Sequence, residues 1–191
     1  MVNGMPAENI TDYRVLAAVA HPVRRRLLDV LRVEQAASVG VLADRLGVAV
    51  GSVSHHAKVL AGHGLIVEAP ELARDARERW WRLGDARISW SNRAFADDPA
   101  GSVVAQAVDE LSLRLQLERL TAWRAASDQA DPAWQDAATS TDMWLRLTPT
   151  ELAQVSEELT ELLSRWRTRE LPDDEPREPV FVFAHAFPSN P

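Results

Sequence analysis

The segment from Ser38 to Leu83, centred on Ser52-Val53-Ser54-His55-His56-Ala57-Lys58-Val59-Leu60, constrains this chain more than any other. Ser38 is a good N-cap for a short helix carrying Val41, Leu42 and Leu46, and Gly47 ends it. Val48-Ala49-Val50 turns the chain into a second helix that runs to about Gly62, with Val53, Ala57 and Leu60 as its inner face. Gly62 and Gly64 close that helix, and Leu65-Ile66-Val67 begins a strand. Glu71 to Glu78 reads as a hairpin tip, and Arg79-Trp80-Trp81-Arg82-Leu83 as the return strand. Helix, turn, helix and an arginine-tipped ribbon form the order that puts one helix into a DNA major groove and braces it on phosphates.

Upstream, residues 1–10 hold few apolar anchors and read as a loose arm. Thr11 or Asp12 caps a helix to about Ala20 that buries Val15, Leu16 and Val19. His21-Pro22 stops it, and Pro22 suits the first position of a next helix with Val23, Leu27, Leu28 and Leu31 inward. Arg24, Arg25 and Arg26 crowd the start of that helix, where the dipole opposes them. At least one therefore needs an anionic partner, and a DNA phosphate or an internal carboxylate would serve equally.

Charge is distributed in the same sense. The net charge of −7 looks wrong for a nucleic-acid binder until the chain is divided. Residues 1–93 carry 13 Lys+Arg against 10 Asp+Glu, and residues 94–191 carry 8 against 18. Phosphate contact needs cations, so the acidic second half is expected to handle dimerisation or a ligand. The chain has no cysteine, which removes disulfides, thiolate metal sites and cysteine nucleophiles and fits a cytoplasmic protein. No run approaches the roughly 18 apolar residues of a membrane span, so no membrane partner is expected.

In the second half, Asp98-Pro99 caps a long helix to about Ala126. One apolar row is Val104, Val108, Leu111 and Leu115, and another is Leu113, Leu117 and Leu120. Two rows imply two burial partners, the chain's own domain and a second copy. Val104, Val108, Leu111 and Leu115 are taken as the dimerisation set. Asp131-Pro132 is a further break, and Met143 to Leu147 reads as a short strand. Thr148-Pro149-Thr150-Glu151 is a capping box opening a helix that buries Leu152, Val155, Leu159, Leu162, Leu163 and Trp166. After an acidic, proline-rich linker, Val180 to Ala184 reads as a last strand, giving a small α+β unit.

From about Leu16 to Leu83 the chain resembles the winged helix-turn-helix regulators of the ArsR/SmtB family. The resemblance lies in His21-Pro22-Val23-Arg24-Arg25-Arg26-Leu27-Leu28, in Val41-Leu42-Ala43-Asp44-Arg45-Leu46-Gly47 as positioning helix, and in Ser52 to Leu60 as recognition helix. Gly64-Leu65-Ile66-Val67 leads into the wing and Arg82-Leu83 closes it. It implies a dimeric DNA-binding repressor. The family's metal sites do not carry over: the thiolate pair would fall in Val41-Leu42-Ala43-Asp44, and the long helix has no histidine. No metal or cofactor is therefore expected.

The expected architecture is mainly α with small β parts. A winged helix-turn-helix DNA-binding domain over residues 1–96 precedes a dimerisation and candidate effector domain over 97–191, made of the long helix and the α+β unit. Ser52, Ser54 and His55 are placed to read an operator in double-stranded DNA, with Lys58 on a phosphate. Arg74, Arg77 and Arg79 on the wing would enter the minor groove or grip phosphates, the alternative being surface charges paired with Asp75 and Glu78. His55 and His56 point about 100° apart on a helix and do different jobs. One reaches toward DNA and the other packs against the positioning helix. Trp123, Trp134, Trp144 and Trp166 either fill a core or line a pocket for a flat or apolar small-molecule effector. A protein-interaction module without DNA affinity is the competing class. Enzymatic chemistry has no support, because no Gly-rich loop, Ser/His/Asp set or paired apolar carboxylates are present.

Overall fold

A computed structural model of the chain describes residues 10–75, 78–84, 90, 92–172 and 176–190. The loose arm expected over residues 1–10 lies, apart from Ile10, outside the described residues, and Ile10 packs against the core. The described residues are mostly helical with one small sheet. They divide into two compact units, one ending at Arg119 and the other beginning at Leu120.

In the first unit each helix starts where the sequence offers a cap. Helix α1 (Tyr13–Val19) begins at Asp12, whose Oδ1 accepts from the Arg14 N–H at 2.8 Å. Helix α2 (Pro22–Glu34) has Pro22 at its first position and buries Leu27, Leu28 and Leu31. Strand β1 (Ala36–Ser38), absent from the sequence reading, leads directly into α3 (Val39–Leu46). Ser38 caps α3 by accepting from the Val41 N–H, and Gly47 closes it at φ +65°, a conformation that glycine adopts without a steric cost.

The apolar residues of helix α3 are not all buried. Val41 is 39% exposed. Starting the helix at Val39 puts Val39, Leu42, Ala43 and Leu46 at the i, i+3, i+4, i+7 spacing of one buried stripe, and Val41 falls out of phase with it.

Helix α4 (Val50–Gly62) buries Val53, Ala57 and Leu60, the face expected. Strands β2 (Ile66–Glu68) and β3 (Trp80–Leu83) form the antiparallel wing, and β1 adds to the far side of β3 in the order β1-β3-β2. The register pairs Ala37 with Trp81 and Val67 with Arg82. Along β3 the side chains alternate, so Trp81 is buried while Trp80 is half-buried. The four helices and the sheet thus enclose one core of Leu, Val, Ile and Ala that also takes in Trp81 and Phe95.

Helix α5 (Pro99–Ala126) starts at Asp98, whose Oδ1 accepts from the Ala100 N–H at 3.1 Å. Gly101 lies so close over Phe95 that a Cβ there would sit 2.7 Å from the ring. Ala105, Val108, Leu111 and Leu115 are buried, and Val104 packs partly against the same core. Arg119 pins this part of α5 to α2 through an ion pair to Asp29, and Trp90 donates to Asp109 at 3.1 Å. The dimerisation set of Val104, Val108, Leu111 and Leu115 is corrected accordingly: the last three are buried by the chain itself and Val104 partly so. Leu113 and Leu117, at 47% and 49% exposure, form the row left open.

The second unit holds the end of α5, a short α6 (Pro132–Ala137) capped by Asp131, and α7 (Pro149–Thr168). The capping box at Thr148 and Glu151 is formed in both directions, with the Thr148 N–H donating to Glu151 Oε2 at 2.7 Å. The two strands expected over Met143–Leu147 and Val180–Ala184 are not formed, and no strand occurs among the described residues of this unit. Leu159, Leu162, Leu163 and Trp166, expected to be buried, are exposed, as are Trp123, Trp134 and Trp144. No residue described here is fully buried.

Candidate nucleic-acid interface

The inward face of α4 fixes its outward face by helical geometry. With Val53, Ala57 and Leu60 in the core, the opposite side carries Gly51, His55 and Lys58, all exposed, with Ser52 and Ser54 partly exposed on its flanks. Four of the residues singled out from sequence (Ser52, Ser54, His55 and Lys58) therefore share one accessible stretch of one helix. Ala49, the N-cap, makes no side-chain bond to the first turn.

The wing residues are placed differently. Arg74 is exposed near the tip, where its backbone N–H donates to Glu78 Oε2 at 3.0 Å. That bond, foremost, holds the Glu78 carboxyl below its usual range. Arg79 forms an exposed ion pair with Glu68 at 3.6 Å across the two strands. Such a surface pair is worth little. Arg77 lies outside the described residues.

The two neighbouring histidines separate as helical geometry requires. His55 faces solvent, while His56 turns back and stacks on His21, with ring centroids 4.5 Å apart and tilted by 37°. Its neighbour is thus the start of α2, not the positioning helix α3. His21 is itself the N-cap of α2, its Nδ1 accepting from the Val23 N–H at 3.2 Å. Burial, then the nearby Arg24 guanidinium and His55, holds the His21 pKa below the ordinary histidine value. For His56 the causes are burial, His21, Arg24 and His55, in that order, and its Nδ1 is buried without a hydrogen-bond partner. Both rings are therefore set to be neutral at neutral pH, stacked where α4 meets α2.

The arginine cluster is resolved one residue at a time. Arg24 donates through Nε to the Ala18 carbonyl and through Nη2 to the Ala17 carbonyl at 3.0 Å. Its partner is thus the negative end of the α1 dipole, a partner not anticipated from sequence. Arg25 is buried enough to depress its pKa, with Asp29 as the compensating charge. Arg26 remains exposed. Sequence reasoning also missed His21 as a cap and Asp29 as an ion-pair hub for Arg32 and Arg119. A histidine directly before a helix-opening proline was the available signal for the first; nothing local marked the second.

Among the described residues no three His, Cys, Asp or Glu side chains gather as a metal site, and no helix is long and apolar enough to cross a membrane.

Residues 19–69 match the family model of a helix-turn-helix domain, from the last turn of α1 to the end of β2. The matched stretch contains α2, α3 and α4 and so includes the outward stripe just described. Fold and match together define the class: a helix-turn-helix protein of the DNA-binding transcription-regulator kind. No curated protein matches the chain.

Proposed function

We propose that this protein is a homodimeric repressor that reads a pseudo-palindromic operator in double-stranded DNA with α4 and the wing. The observation that carries this reading is the accessible stripe Ser52, Ser54, His55 and Lys58, opposite the buried Val53, Ala57 and Leu60, inside a matched helix-turn-helix segment. Short polar side chains at the start of a groove helix reach base edges, and Lys58, one turn on, meets a phosphate. Arg74, Arg77 and Arg79 extend the phosphate contacts along the wing. We assign DNA binding to residues 1–96, and dimerisation with effector binding to residues 97–191. The open leucines of α5 support dimerisation, and the uncovered tryptophans of the C-terminal unit support a flat or apolar small-molecule effector.

The test is selection of bound duplexes from a random pool by the full chain, followed by affinity at two salt concentrations. The expected outcome is a pseudo-palindrome with half-sites about one helical turn apart and an affinity that falls steeply with salt. Ser54→Ala with His55→Ala should remove sequence preference and keep the fold. Absence of any enriched sequence, with binding indifferent to salt, would favour a protein-interaction module instead.

A further inference from the structure

Two neighbouring residues that open the recognition helix lack a role inside the chain. Val50 is 57% exposed and belongs neither to the core nor to the residues packed against it. Gly51 has no left-handed backbone, and a Cβ built on it would meet nothing within 4 Å. Neither space nor conformation therefore requires glycine there, although glycine in a helix is about 1 kcal/mol less favourable than alanine. Ala49 before them offers only a methyl group. The first turn of α4 thus presents aliphatic carbon and bare backbone where a groove-reading helix meets base edges. Ser54 follows Val50 by four residues, on the adjoining part of the same helix surface.

Major-groove edges offer one apolar feature, the C5-methyl of thymine. We infer that Val50 reads a thymine methyl group in each operator half-site, and that Gly51 is bare so that α4 seats close enough for this contact. The inference rests on the DNA-binding reading above and adds a base preference to it. Val50 supplies an apolar contact beside the polar ones of Ser54 and His55, so the half-site contains thymine next to the base met by Ser54.

The test uses the duplex selected by the full chain. Each thymidine is replaced in turn by deoxyuridine, which lacks only the methyl group, and affinity is measured for wild type and Val50→Ala. Wild type should lose about fourfold at one position per half-site, the value of one buried methyl-sized group, and Val50→Ala should be indifferent there. Gly51→Ala should unfold at the same or higher denaturant concentration yet bind the selected duplex several-fold more weakly. A wild type indifferent to every replacement overturns the role of Val50, as does a Val50→Ala variant with undiminished sensitivity. Full affinity in Gly51→Ala overturns the close seating. If no duplex is enriched at all, the DNA-binding reading fails first and takes this inference with it, an outcome distinct from an enriched duplex without methyl sensitivity.

Discussion

His21 and His56 show how single side chains couple α4 to the start of α2. His21 Nδ1 must keep its lone pair to accept the Val23 N–H, so the cap of α2 exists only with a neutral ring. His56 lies against it, Arg24 and His55 are the charges facing the pair, and burial leads the causes that lower both pKa values. The unfolded chain therefore takes up these protons before the folded one. Their contribution to stability is whole above the ordinary histidine pKa near 6.5 and is lost as pH falls below it. Glu78 and Glu151, also shifted down, act in a separate window below the carboxylate range. Urea midpoints measured at pH 7.5 and 5.5 should drop more for wild type than for His21→Ser with His56→Gln, which keeps a cap but removes the titration. Equal drops would locate the pH sensitivity elsewhere.

At the scale of elements, glycine positions separate packing from propensity. Gly84, just beyond β3, passes so near Gly64 that a Cβ would lie 2.2 Å from the Gly64 carbonyl oxygen. That obstacle is backbone, and the Gly84 N–H is already committed to the Leu65 carbonyl at 3.0 Å. Gly84→Ala should therefore cost about 1–3 kcal/mol, read as a lowered denaturant midpoint. Gly62 faces open space, so Gly62→Ala should instead gain about 0.4–1 kcal/mol. The caps of α1, α3 and α7 and the buried stripes of α2 and α4 were legible because each depends on residues a few positions apart. Strand β1 was not, since three residues form a strand only when β3 lies beside them. The same dependence applies to Met143–Leu147 and Val180–Ala184, whose β-like composition does not by itself make a strand. On α4, the accessible placement of Ser54, His55 and Lys58 could be read from helical spacing. The return of His56 onto His21 could not, because 35 positions of chain separate them.

For the whole molecule, the distribution of apolar surface bears on assembly. Leu113 and Leu117 are four residues apart on α5 and remain about half exposed, while the alternate row beneath them is buried. Under the operator-binding reading, an exposed leucine row on a well-anchored helix suits a docking face. A second copy is the natural occupant under the operator-binding reading, because a pseudo-palindrome is matched by twofold symmetry. Leu113→Glu with Leu117→Glu places two charges on that face without disturbing Val108, Leu111 or Leu115. The expected result in analytical ultracentrifugation is a monomer at concentrations where wild type is dimeric. Its salt slope on the selected operator should fall to about half, since one domain neutralises half as many phosphates as two. A variant that stays dimeric would move the contact off this face of α5, and the uncovered leucines and Trp166 on α7 would be the next surface to substitute.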